Sequence, residues 1–130
     1  MYEWRSHTAE IELAIEADSE EQVFADAVAA FAELVALEND GTDEQRLVAV
    51  EAPDCASLLV EWLQELIFLA DSEGFVAEQA KDVRLEDGSL NATLVGRCAP
   101  FEPLVKAATY HGLQFGREGN VWRARVVLDV

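Results

Sequence analysis

Cations are what this sequence has least of. Lys81 and Lys106 are its only lysines, Lys and Arg together number 9, and 26 Asp and Glu leave a net charge of −17. Nucleic acids are held by patches of Lys and Arg, so direct binding of nucleic acid is not expected. Cysteine is also scarce. Cys55 and Cys98 lie far apart without C-x-x-C spacing and read as two reduced thiols of a cytoplasmic protein. Long apolar runs are missing as well. The richest stretch, "SLLVEWLQELIFLA", is interrupted by Glu61, Gln64 and Glu65 and is too short to cross a bilayer, so no membrane association is expected. The start, "MYEWRSHTAE", has neither the basic opening nor the apolar stretch of an export signal. Glycines in "HGLQFG" have neither P-loop nor dinucleotide-binding spacing, no G-x-S-x-G occurs, and the adjacent Ser6 and His7 do not project as a nucleophile and its base would. These gaps point away from an enzyme, with no catalytic residue assignable, and towards a binding or accessory domain.

What is present is apolar substance and acid. Apolar residues make up 51% of 130 positions, enough for one domain spanning 1–130 with a packed core. The acids run from Glu3 to Asp129 and are not gathered in a tail. An acidic coat with Arg favoured over Lys fits a halophilic protein from a salt-rich cytoplasm, where a Debye length of ~3 Å at 1 M screens self-repulsion. An ordinary acidic bacterial protein is the alternative.

Periodicity predicts the elements. "EIELAIEA" (Glu10–Ala17) alternates as a half-buried strand, and Tyr2 to Arg5 form a short strand before it. Ser19 is the expected N-cap of a first helix running to about Leu37, with Gln22 as its capping-box partner, and "ENDGTDE" breaks it. Gln45–Ala52 reads as a strand, and Pro53-Asp54 opens a second helix from Cys55 to about Ala70 whose broad apolar face makes it the most buried. Asp71 and Glu73 follow it, where the helix dipole prefers cations. Strands at Phe75–Leu85 and Leu90–Arg97 flank the Asp87-Gly88 hairpin signal; after the "CAPFEP" loop, strands at Val105–Phe115 and Val121–Val130 flank "GREGN". The order β-α-β-α followed by two β-hairpins is α+β, two early helices on antiparallel sheet.

One constellation has chemistry in it. Glu10 opens the first long strand, while Asp129 and the carboxylate of Val130 close the last. If the terminal strands are neighbours, three hard oxygen donors meet at a sheet corner and suit Ca²⁺ or Mg²⁺; otherwise they belong to the acidic coat. His7 and His111 are the only histidines, and an isolated histidine near a strand end is more often structural than catalytic.

Four segments carry a resemblance: "HTAE" (His7–Glu10), "SLLVEWLQELIFLADSEG" (Ser57–Gly74), "KAATYHGL" (Lys106–Leu113) and "WRARVVLDV" (Trp122–Val130). Together, in this order and over essentially the whole chain, they resemble the archease family. The resemblance implies the same α+β fold and a non-enzymatic accessory factor of the RNA-splicing ligase RtcB, promoting its guanylylation and repeated turnover in tRNA splicing and RNA repair. It also implies a divalent cation, commonly calcium, with magnesium or manganese as alternatives, held by Glu10, Asp129 and Val130. Glu10 stands where the family usually has Asp, one methylene shorter, and the "CAPFEP" loop is shorter than usual. His7, Tyr110, His111 and Asp71 are candidates for supporting the site or touching the partner. A tRNA-modifying methyltransferase, with this domain as its chaperone, is the alternative partner.

Overall fold

The structure, a computed structural model, describes residues 1–7, 10–35, 42–98 and 105–130, with Ser6 and His7 described by backbone alone. Among the described residues, seven strands and two helices follow in the order β1 (Tyr2–His7), β2 (Glu10–Ala17), α1 (Glu20–Leu34), β3 (Thr42–Glu51), α2 (Cys55–Glu73), β4 (Phe75–Glu86), β5 (Ser89–Cys98), β6 (Ala107–Glu118) and β7 (Val121–Asp129). The expected α+β order is present. The helix break at "ENDGTDE" and the "CAPFEP" loop fall largely outside the described residues.

Helix boundaries follow from local chemistry. The Ser19 hydroxyl accepts from the Gln22 N–H at 3.1 Å, capping α1 as expected. The reciprocal half of the capping box does not form, because the Gln22 amide donates forward to Asp26 at 2.8 Å, one turn on along the same face. The described part of α1 ends at Leu34, with Val35 in a turn and its N–H on the Phe31 carbonyl; Leu37, its expected end, lies outside the described residues. Asp54 caps α2 through the Ser57 N–H at 2.7 Å. That helix runs three residues past the expected Ala70, because nothing before Gly74 offers the left-handed turn (φ 66°) that closes it onto the Ala70 and Leu69 carbonyls. Glu73, in the last turn of α2, meets Arg46 of β3 at 3.1 Å, and the Arg46 guanidinium lies 4.8 Å above the Phe75 ring.

The strands form two antiparallel sheets, β1-β2-β7-β6 and β3-β5-β4, and each helix touches strands of both. Leu13, Ile15, Ala124, Val126, Leu128 and Ala108 are buried on the inner face of the four-stranded sheet, against the helix layer. Trp62 is fully buried on α2 and donates its indole N–H to the Phe24 carbonyl of α1 at 3.1 Å, so its one polar atom is satisfied within the core. Strict alternation along β2 and β7 then sends Glu10, Glu12, Glu16, Arg123, Arg125 and Asp129 to the outer face. Among the described residues, no helix is long and apolar enough to cross a membrane.

Candidate metal centre

β2 and β7 lie side by side, and their register puts Glu10 directly opposite Asp129. Residues so opposed have Cβ atoms about 4.5–5.5 Å apart. The first long strand and the last are therefore neighbours, as the carboxylate reading requires, while the short β1 lies outside them at the sheet edge. Two further contacts fix Asp129: it pairs with Ala107 of β6, and its carbonyl accepts from the Lys106 N–H at 2.8 Å. Val130 follows immediately, beyond the strand and partly exposed. His7 occupies the β1 position paired with Glu10, so one row across the sheet reads His7, Glu10, Asp129, Ala107.

Two like charges placed directly opposite are unfavourable without a counter-charge. Among the described residues, neither Glu10 nor Asp129 takes part in an ion pair, and no three His, Cys, Asp or Glu side chains gather. The donors the fold brings together are thus two carboxylates with the chain's last residue beside them. On the same face, one row in, the Thr109 hydroxyl is buried without a hydrogen-bond partner. Two hard, anionic oxygen donors held opposite one another fit a cation of the Ca²⁺ or Mg²⁺ type.

The other candidates lie elsewhere. Asp71 is exposed in the last turn of α2, in the helix layer on the opposite side of the sheet from the Glu10 row. Tyr110 and His111 fall in an irregularity of β6. Thr109 pairs with Val127 and Gln114 with Arg125, so four residues of β6, Tyr110 to Leu113, oppose Val126 alone. The expected strand Val105–Phe115 forms as β6, Ala107–Glu118, with a bulge in its pairing to β7 that Gly112 at φ 66° permits. His111 is exposed. The Tyr110 hydroxyl donates to Glu61 of α2 at 3.1 Å, and this hydrogen bond, with lesser help from burial, pushes the phenol above its ordinary pKa.

Gln64 has a role that sequence patterning did not disclose. Its side-chain amide donates to the Ala108 carbonyl at 3.4 Å and accepts the Ala108 N–H at 3.3 Å. It thus satisfies both backbone groups of an edge strand and ties β6, beside the carboxylate corner, to α2. The one advance sign was a glutamine interrupting the apolar run of that helix.

Both cysteines are free. Burial, then a hydrogen bond to Glu20 at 3.0 Å, pushes the Cys55 thiol up to about 12; burial and Glu44 raise that of Cys98. Protonated thiols are poor nucleophiles, so neither offers a reactive centre at neutral pH.

Fold and corner together define a small two-helix α+β domain whose candidate site is a cluster of oxygen donors, with no nucleophile or base beside it among the described side chains. The Archease protein family (MTH1598/TM1083) matches residues 2–130, and the chain belongs to that family. It is 34% identical to the archease of Methanosarcina mazei over 99% of this chain and 95% of that one, and 35% identical to that of Pyrococcus abyssi over 99% and 98%. The solution structure of Methanobacterium thermoautotrophicum protein 1598 superposes with a TM-score of 0.68 at 27% identity, covering 99% of this chain and 98% of the other. A Thermotoga maritima protein described as an archease and possible chaperone has the same fold, at a TM-score of 0.68 and 23% identity over 100% and 98%.

Proposed function

We propose that this archease is a non-catalytic accessory factor that activates the RNA-splicing ligase RtcB, promoting guanylylation and multiple turnover, with a divalent cation at Glu10, Asp129 and the Val130 carboxylate. The observation that carries the reading is the register of Glu10 on Asp129 in a chain matching the archease family almost end to end. A divalent cation held by Glu10, Asp129 and the Val130 carboxylate would offset most of the negative charge that these groups bring together. The chain's own part is positional. The β2–β7 ladder holds Glu10 and Asp129 together, while the Lys106 N–H and Gln64 hold the neighbouring edge strand in place. An effector of this kind acts by binding the guanylylation-competent state of the ligase better than its resting state. Net charge of −17 supports contact with the enzyme over contact with its RNA.

The test uses ligase well below substrate, with GTP, a divalent metal and cleaved tRNA halves, at a salt concentration where circular dichroism shows the archease folded. Wild-type protein should allow many turnovers per ligase, and Asp129→Asn should lose most of the stimulation while keeping the fold. Unchanged turnover, together with tight binding to a tRNA methyltransferase, would favour the second reading, a chaperone, which the description of the Thermotoga relative supports.

A further inference from the structure

The outer face of the four-stranded sheet holds a second feature, at the end away from the carboxylate corner. Arg5 of β1 and Arg123 and Arg125 of β7 stand around Ala14 of β2, and with Gln114 and the three carboxylates of Glu3, Glu16 and Glu118 they line a pocket of about 280 Å³. The small side chain of Ala14 leaves the floor open, and three strands supply the walls. Acids outnumber bases 26 to 9 in the chain, yet three of those nine basic residues converge here. Their carboxylate partners are loosely engaged: Arg123 meets Glu16 at 3.3 Å and Glu118 at 3.4 Å, and Arg5 meets Glu3 at 3.5 Å, with every one of these side chains more than 40% exposed. Exposed pairs of this kind contribute little and exchange partners readily. Glu12 is held more deeply, 3.5 Å from Arg5 and 3.9 Å from Arg125. That 3.9 Å contact is too long for a hydrogen bond. Among the described residues Arg125 is thus ion-paired to Glu12 without a hydrogen bond.

We propose that this pocket binds a phosphate group. A carboxylate is planar and is satisfied by one guanidinium engaging both oxygens, whereas guanidiniums converging from two strands suit a tetrahedral group whose oxygens point several ways. Arg125 is the principal donor, Arg5 and Arg123 flank it, and Gln114 adds a neutral amide. The site is separate from the carboxylate corner: Arg125 lies four residues from Asp129 along β7, about 13 Å at strand spacing.

Calorimetry with inorganic phosphate and with pyrophosphate, against potassium chloride of equal ionic strength, tests the proposal. Wild-type protein should bind saturably, Arg125→Gln should weaken binding at least about tenfold, and Arg125→Lys should fail to restore it, because a lysine lacks the fork. Asp129→Asn should bind as wild type. Equal affinity for the two probes identifies a single phosphoryl group, and tighter pyrophosphate identifies a polyphosphate end such as a nucleotide carries. The proposal is overturned by absence of saturable binding, by wild-type affinity in a folded Arg125→Gln, or by a glutamate-rich peptide binding where phosphate does not.

Discussion

Glu10 and Glu12 lie on one strand, on one face, two residues apart, and their surroundings are opposite. Glu12 is nearly covered, with a side chain 14% exposed between Arg5 on one neighbouring strand and Arg125 on the other. Glu10 faces Asp129. The sheet therefore places a protein cation on each side of one carboxylate and a second carboxylate beside the next. A chain with 9 basic residues to distribute has grouped three of them towards the other end of this face, while among the described contacts the corner meets only the backbone N–H of Lys106 and no basic side chain. Glu12 is neutralised internally, whereas no described side chain neutralises the corner.

The largest expected effect concerns both ends together. At low ionic strength the net charge of −17 opposes compaction, and screening relieves it. The melting temperature should rise by more than about 10 °C from dilute buffer to molar KCl. A flat profile would remove the halophilic reading and leave the acidic coat without consequence for stability.

Calcium should then separate the ends. At a free concentration about 100-fold above Kd, binding stabilises by about 2.7 kcal/mol, or roughly 8 °C for a domain of this size. Asp129→Asn should abolish that gain, and so should a few residues added after Val130, since they turn the terminal carboxylate into an amide. Arg125→Gln should keep it. A full calcium shift in the extended protein would show that Val130 is not a ligand.

In metal-free buffer the two glutamates should respond with opposite signs. Glu12→Gln leaves Arg5 and Arg125 without their shared partner and should cost about 1 kcal/mol. Glu10→Gln removes a like-charge pair and should gain about 0.2–1 kcal/mol. Chemical denaturation of both variants measures the difference directly; equal signs would mean that the contrast drawn from the register has no energetic content.

How much of this was legible beforehand depended on the range of the interaction. Strict alternation in Glu10–Ala17 and the Asp87-Gly88 turn are local signals, and both elements formed as expected. The meeting of Glu10 with Asp129 was legible only on the condition that the first long strand and the last are neighbours, because the register between strands so far apart in sequence is set by packing and leaves no local mark. The interruption at Tyr110–Leu113 had a mark, Gly112 within an alternating run, which is the usual sign of a bulge. The strand itself was expected over Val105–Phe115, and no bulge was read within it. Gln64 was not legible in role at all: its contacts are with the backbone of Ala108, which no side-chain pattern reports.

The smallest expected effect lies at that bulge. Tyr110 is largely exposed, so its hydrogen bond to Glu61 should contribute only about 0.5 kcal/mol, and Tyr110→Phe should leave fold and calcium response intact. Its signature is in pH. The phenol is raised because ionisation would set a phenolate against the Glu61 carboxylate and forfeit the hydrogen bond. A group raised in the folded state contributes stability that is present below its unfolded pKa, about 10, and is lost as pH climbs through the folded value. Wild-type protein should therefore weaken above about pH 10 more steeply than Tyr110→Phe does. Tyr2, the only other tyrosine, is raised in the same direction by its hydrogen bond to Glu33 and serves as an internal reference. Absorbance titration at alkaline pH should show two delayed phenols in the wild type and one in the variant. A phenol titrating at its ordinary value and missing from Tyr110→Phe would mean that the link from the β6 bulge to α2 is not held in solution, and that Gln64 is what ties this edge strand to α2.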